Sequence, residues 1–317
     1  MRVVVIGATG HIGTFLVPRL VAEGFEVIAV SRQRQNPYRQ DSAWKSVRSI
    51  SLDRAELESE GRFGEAIAKL GGDIIIDLIC FTQDSARQLV TAVGDDIQQL
   101  LHCGTIWVYG ASRLVPTSED QPRQPLGDYG RNKAAIESWL LNAATESSLP
   151  VTILHPGHIV GAGWMPLNPA GNFNAQIFDH IAAGNEVLLP NMGMETLHHV
   201  HADDVAQAFM LAIRHRENAI GESFNIVSDA ALTLNGYCEA LAQWLDKPSN
   251  IRHLPLDQWR ERVSEEDYQA SIEHLSHGSH CSNAKARQLL SFEPRFSSIE
   301  GIQDSLAPHF GLPSPIS

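Results

Sequence analysis

Cysteine is scarce in this chain: four residues in 317, Cys80, Cys103, Cys238 and Cys281, with no CxxC pair among them. That spacing supplies neither a disulfide framework nor a paired-thiolate zinc motif, and it fits a reduced, cytoplasmic setting. Long apolar runs are missing as well. No stretch approaches the ~18 consecutive apolar residues of a membrane span. Met1-Arg2 leads straight into a strand-like run, so no secretory leader is expected. Positive charge is in deficit, with 24 Lys plus Arg against 37 Asp plus Glu and a formal charge of −13. Nucleic acid and anionic membranes are therefore poor partners. Internal repeats and low-complexity tracts are absent. What is present is ample apolar material, 43% of residues, enough for one large domain or two joined ones.

The most informative segment lies at the start. Val3-Val4-Val5-Ile6 breaks into Gly7-Ala8-Thr9-Gly10-His11-Ile12-Gly13. The pattern predicts a strand that stops at Gly7 and a helix that begins near Ile12. Glycines at 7, 10 and 13 permit a tight turn and a close backbone approach, and the helix N-terminus presents free N–H groups. Together these suit a pyrophosphate. The glycine spacing alone is weak; the strand–turn–helix context gives it weight.

Strand-like and helix-like segments then alternate. The first helix is expected to run to Glu23, with Gly24 as its stop and a small kink at Pro18. Strands are expected over 26–30, 73–79, 100–109, 151–154 and 223–227, and helices over 129–143 and 199–214. The near-continuous Ile and Leu of 73–79 suits a parallel strand buried on both faces. The alternation predicts an α/β, Rossmann-like, doubly wound parallel sheet. Residues 156–195 are rich in Gly, Pro and Asn and carry little strand signal, and 228–317 reads as mostly helical. The expected organisation is a dinucleotide-binding core of 1–155, with 196–227 returning to it. A smaller, mostly helical substrate-binding part would come from 156–195 and 228–317.

Two further segments carry chemistry. In Tyr129-Gly130-Arg131-Asn132-Lys133, the Tyr and Lys stand one turn apart on a helix face. A phenol titrates near pH ~10 and is a poor base until a neighbouring ammonium lowers that value. The same ammonium can hydrogen-bond a ribose; the bland alternative is a pair that merely shares a face. Cys103-Gly104-Thr105-Ile106-Trp107-Val108-Tyr109-Gly110 ends a strand, where open α/β sheets bind ligands. Thr105 there offers a hydroxyl to a substrate oxygen, or serves only β propensity.

With these three segments the chain resembles the extended short-chain dehydrogenases/reductases of the NAD(P)-dependent epimerase/dehydratase type. Gly7 to Gly13 resembles their glycine motif, Thr105 to Gly110 their strand-end segment, and Tyr129 with Lys133 their YxxxK pair. Likeness continues at 151–161, at His201-Ala202-Asp203-Asp204-Val205-Ala206, at 221–227 and at 285–294. The resemblance implies catalysis by Tyr129 as general acid/base, Lys133 as its partner and ribose ligand, and Thr105 as the group that polarises the reacting oxygen. Hydride would pass between a nicotinamide and a carbonyl or hydroxyl carbon of a sugar, sugar nucleotide or small carbonyl compound. It also implies a cofactor set of Gly7, Thr9, Gly10, His11, Ile12, Gly13, Leu78, Lys133, Pro156 and His158, with Asp53 touching adenine. A homodimer through helices in 84–99 and 129–143 would follow. The rival reading is a non-catalytic, NADP(H)-sensing regulator; such relatives lose the Tyr or the Lys, and both are present.

The second strand ends in Ser31-Arg32-Gln33-Arg34 with no carboxylate, which favours NADP(H) over NAD(H). The alternative is that Arg32 and Arg34 are ordinary solvated charges. Departures from the family pattern bear on the substrate. Where sugar-nucleotide epimerases carry Arg-Tyr-Phe-Asn or Arg-Pro-x-Asn, this chain has His155-Pro156-Gly157-His158, and where they read HLAA it has Asp77-Leu78-Ile79-Cys80. These changes favour a smaller carbonyl or hydroxyl substrate, or an atypical sugar. Trp107, His158 and Trp164 are candidate substrate contacts, each with an ordinary packing or loop role as its alternative. His198-His199-Val200-His201 and His277-Gly278-Ser279-His280-Cys281 tempt a zinc reading, but neighbouring strand histidines point apart, so no metal is expected. His201 is expected to cap the helix that follows, and 256–269 to form a solvated helix face.

Overall fold

Side chains of the first strand, β1 (Arg2–Ile6), alternate between two apolar clusters, one holding Val3 and Val5, the other Val4 and Ile6. This period of two dictates a sheet covered on both faces. A computed structural model of the chain describes residues 1–32 and 36–315. β1 is joined by β2 (Glu26–Ser31), β3 (Arg48–Ser51), β4 (Ile74–Asp77), β5 (Gln99–Cys103), β6 (Val151–Pro156) and a last strand, Ser223–Ile226. They form one seven-stranded sheet in the order Ser223–Ile226, β6, β5, β4, β1, β2, β3. Every pairing in it is parallel. The chain steps outward from β1 to β3, then crosses to β4 and continues the other way. The crevice at that reversal lies beyond the carboxyl ends of β1 and β4, where α/β sheets bind ligands.

Helix α1 (His11–Ala22) runs through Pro18 and joins the Val3/Val5 cluster together with helix Ala202–Arg214. Helices Phe63–Ala68, Gln83–Val93 and Gly127–Ser147 cover the Val4/Ile6 side. A third cluster, including Val160, Phe178, Leu189, Tyr237, Trp259 and Ile302, builds a body beyond the carboxyl edge of the sheet.

Four expectations need correction. The strand expected over 100–109 stops at Cys103, and a 3-10 turn, Ile106–Tyr109, follows, capped by the Thr105 hydroxyl accepting from the Trp107 N–H at 3.3 Å. The helix expected over 199–214 begins at Ala202; His199–His201 is a strand paired in parallel with His158–Val160. Residues 156–195 carry more strand than expected, since Val187–Pro190 pairs with the distant Ile251–Leu254. The stretch 256–269 is two helical pieces, Leu256–Arg260 and the start of Glu265–Leu275, and Trp259, between Gln258 and Arg260, is fully buried.

Several histidines are packed inside. Burial above all holds the rings of His11, His198 and His199 neutral, lowering them to about 3, about 4 and about 3. Unfolded, each titrates near pH ~6.5, so between that value and the folded one only the unfolded chain takes up the extra proton. Asp204, pushed up to about 6 by burial against the Arg295 N–H and His201, works in the opposite direction below that pH. His102 and His158, also held neutral by burial, act in the same direction as these three histidines, so the net expectation is a loss of stability as pH falls from about 6 toward about 4. Urea midpoints at about pH 7.5 and about pH 5 would check this, a flat profile being the contrary result. The seating of α1 gives a second expectation. A Cβ on Gly13 would lie 2.1 Å from the Ala8 carbonyl oxygen and 2.5 Å from its carbon. Gly13→Ala is expected to lower stability by about 2–3 kcal/mol, read as a shifted urea midpoint at unchanged slope.

Candidate active site

The glycine turn is braced by β2: the Gly7 and Ala8 N–H groups both donate to the Val30 carbonyl, at 2.9 and 3.2 Å. Gly10 is the N-cap of α1 and supplies no side-chain cap, so the first-turn N–H groups of the helix remain for a ligand. Two cavities meet at this turn, of about 500 Å³ and about 550 Å³, and share Gly7, Gly10, Ile79 and Phe81. The first reaches Thr105, Tyr129 and His158; the second reaches Thr9, Ser31, Arg32 and Asp53. An elongated, two-lobed space bent over an uncapped helix N-terminus fits a dinucleotide. His11, Ile12, Gly13 and Leu78 line the first lobe as expected. Pro156 does not reach either lobe; Gly157 and His158 take that wall. Arg34 lies outside the described residues.

The second lobe explains Asp77, which is odd in an apolar strand. Arg54 Nη1 donates to both of its carboxylate oxygens, at 2.7 and 3.0 Å, and Arg54 Nε donates to Glu58 at 2.6 Å. Arg54 Nη2 is buried with no partner, on a residue that lines the lobe. Asp53 caps helix Arg54–Ser59 by accepting from the Ala55 and Glu56 N–H groups.

In the first lobe, helix Gly127–Ser147 carries Tyr129 to the cleft and turns Lys133 inward. Lys133 is buried, and its Nζ donates to the Cys103 carbonyl at 2.8 Å, 5.9 Å from the Tyr129 ring centre. Burial pushes the Lys133 ammonium down, against the attraction of Cys103, Cys80 and Asp77. The expectation that Lys133 lowers the Tyr129 phenol is not met by the protein's own groups. Burial, then Cys103, pushes Tyr129 up to about 12, with a hydrogen bond to the Thr105 side chain opposing.

Thr105 is held from behind. Its N–H donates to His155 Nδ1 at 3.0 Å, so the ring proton sits on Nε2, which donates to Glu137 Oε1 at 3.0 Å. Arg123 completes the chain at 2.6 Å from Glu137. Burial opposes ionisation of Glu137, but His155 and Arg123 overcome it and hold the carboxyl below the usual carboxylate range. The neighbouring residue must be glycine, because a Cβ on Gly104 would lie 2.2 Å from His155 Nδ1. Sequence reading missed Glu137 and Arg123. The signal available was a glutamate one turn beyond Lys133 on the buried face that also carries Ile136 and Leu140.

The outer wall gathers aromatic and imidazole rings. The parallel register sets His199 beside His158, with ring centres 5.7 Å apart. Trp107 stacks on His277 at 4.2 Å and meets His158 edge-on at 6.2 Å. Trp164 stacks on His11 at 5.1 Å, so it covers the glycine turn rather than the Tyr129 end. His198 faces away and bonds the Ser228 carbonyl and the Cys281 N–H. His201 caps its helix, accepting from the Asp203 N–H at 3.0 Å as expected. Among the described residues no group of three His, Cys, Asp or Glu is arranged to hold a metal ion. Nor is any helix among them long and apolar enough to cross a membrane.

The chain is similar to several known proteins. The chain is 24% identical to the chloroplast stem-loop binding protein of 41 kDa b of Arabidopsis thaliana, over 98% of this chain and 79% of that protein. It is 24% identical to the 2'-dehydrokanamycin reductase of Streptomyces kanamyceticus, over 85% and 74%. The UDP-glucose 4-epimerase of Thermotoga maritima, solved with UDP-glucose, superposes with a TM-score of 0.74 at 21% identity, covering 98% of this chain and 99% of that one. The NAD dependent epimerase/dehydratase family model matches residues 3–227, which span the glycine turn, Thr105, Tyr129 and Lys133. On that match the chain belongs to the NAD dependent epimerase/dehydratase family, among the extended short-chain dehydrogenases/reductases.

Proposed function

We propose that the chain is an NADP(H)-dependent enzyme acting at a carbonyl or hydroxyl carbon, by net reduction or oxidation or as one half of an epimerisation. The observation that carries this reading is the meeting of Tyr129 and Thr105 on the same cleft as the glycine turn. Residues 156–195 and 228–317 form the substrate-binding part in this reading, in a cytoplasmic protein that pairs through helices Gln83–Val93 and Gly127–Ser147. The first-turn N–H groups of α1 hold the pyrophosphate. Ser31, Arg32 and Arg54 face the 2'-phosphate, while Asp53 and Glu58 in the same lobe are engaged by a helix N-terminus and by Arg54. When bound, the dinucleotide supplies the hydride donor or acceptor.

Thr105 Oγ1 hydrogen-bonds the reacting oxygen and orients it toward Tyr129. A phenol pushed up to about 12 is fully protonated at neutral pH, so Tyr129 Oη stands ready to give a proton to a developing alkoxide. The reverse role, as base, needs more positive charge at the site than Lys133 supplies from its bond to the Cys103 carbonyl. A second reading, stem-loop RNA binding, follows from the name of the Arabidopsis relative; the −13 charge opposes it, and salt-dependent RNA binding near physiological ionic strength would revive it.

Tyr129→Phe is expected to lower turnover by about 10²–10⁴-fold while dinucleotide affinity is unchanged. Unchanged turnover would remove Tyr129 from the chemistry. Titration with both reduced dinucleotides is expected to give tighter NADPH binding, and Arg32→Ala to weaken NADPH at least about ten-fold while leaving NADH unaffected. Tighter NADH binding by the native protein would reverse the assignment.

A further inference from the structure

The substrate end of the first lobe differs in chemistry from the cofactor end. Among the described residues that line it there is no arginine and no lysine. Besides the Tyr129 phenol, its ionisable groups are the Glu273 carboxylate and three imidazoles, His158, His199 and His274. Burial keeps those rings unprotonated, so they bring no positive charge. Glu273 and His274 also lie in the last turn of helix Glu265–Leu275, at its negative end.

Hydrogen-bond polarity points the same way. His274 Nδ1 faces the Ala270 carbonyl at 2.6 Å and therefore carries the proton, which leaves Nε2 as an acceptor. Both ring nitrogens of fully buried His199, and Nε2 of His158, are buried without a partner. Such atoms cost stability until a ligand satisfies them. Trp107, Phe173 and Leu167 supply the apolar remainder of the wall. A diphosphate offers only acceptors and carries negative charge. Here it would meet the His274 Nε2 acceptor, a carboxylate and a helix C-terminus, against neutral imidazole N–H groups and no cation. Hydroxyl and amino groups meet the complementary surface.

We infer that the substrate is a phosphate-free, hydroxyl-bearing carbonyl compound or its alcohol, neutral or amine-bearing, and not a sugar nucleotide. Its hydroxyls would bond His158, His199 and His274, and its reacting oxygen Thr105 and Tyr129. The inference rests on the enzymatic reading above and narrows its substrate class.

The test uses the full chain saturated with NADPH or NADP+. UDP-glucose and UDP-galactose are titrated calorimetrically and assayed for turnover. Alongside them runs a panel of uncharged ketoses, inosose-type cyclic ketones and the corresponding polyols and amino-polyols, followed by nicotinamide absorbance. The expected result is no heat of binding and no turnover with the UDP-sugars, and turnover of at least one phosphate-free compound. His199→Leu is then expected to raise KM for that compound at least ten-fold with NADPH affinity retained. Micromolar binding or turnover of a UDP-sugar overturns the inference and leaves the enzymatic reading intact. Silence across the whole panel in a protein that binds NADPH overturns the enzymatic reading itself, and the substrate class with it. The wild-type titrations decide the matter even if His199→Leu fails to fold.

Discussion

The site depends on how the segment 103–105 is anchored where β5 ends. Three successive residues are held from three directions. The Cys103 carbonyl accepts from Lys133 at 2.8 Å, the Gly104 N–H donates to the Leu154 carbonyl at 2.7 Å, and the Thr105 N–H donates to His155 at 3.0 Å. Two of these anchors come from β6 and one from the helix that bears Tyr129. Strand end, neighbouring strand and catalytic helix are thereby tied at one point, and the distance between Thr105 and Tyr129 is set by the backbone rather than by free side chains. The imidazole, carboxylate and guanidinium behind Thr105 are each partnered. Removing one member of such a buried charged chain typically costs about 3–5 kcal/mol, because it strands its neighbour.

From this anchor the cleft divides into two electrostatic halves. Under the cofactor end lie Arg32 and Arg54, with an uncapped helix N-terminus between the lobes. Beyond Tyr129 the wall turns to neutral imidazoles, aromatic faces and one carboxylate. The overall charge of −13 says nothing about either half. Local placement sets the charge each end presents, and the two ends present different kinds.

What the sequence made legible is local. A strand, a glycine turn and a helix are contiguous, and Tyr129 and Lys133 are one turn apart, so spacing alone puts them together. Thr105 follows from its place at a strand end. The remainder arises from contacts between distant segments. His199 enters the cleft because its strand pairs in parallel with His158–Val160, whereas periodicity made 199–201 the start of a helix. Val187–Pro190 is a strand because Ile251–Leu254 lies alongside it. Glu137 reads as one more polar helix residue until β6 brings His155 against it. Tyr129 is pushed up by its surroundings and by Cys103, while the Lys133 ammonium is committed to the Cys103 carbonyl.

The departures from the family pattern sort by whether the fold has re-paired them. Asp77 stands where a histidine would, and Arg54 binds both of its oxygens. His155 stands in place of an arginine; Glu137 takes its Nε2, the Thr105 N–H takes its Nδ1, and Gly104 leaves room for its ring. The His155 exchange is complete within the protein and so carries no information about a ligand, whereas the Asp77 exchange leaves Arg54 Nη2 unpartnered on the second lobe. His158 stands in place of the asparagine and is different. Its Nε2 is buried and has no partner, beside a His199 whose two nitrogens are in the same state. A polar atom left unsatisfied in a buried wall is stable only at a cost, and a wall that concentrates three of them in one cleft is shaped around something that supplies the missing bonds. Hence the unpaired substitution, rather than the paired ones, is the one that bears on the proposed substrate class.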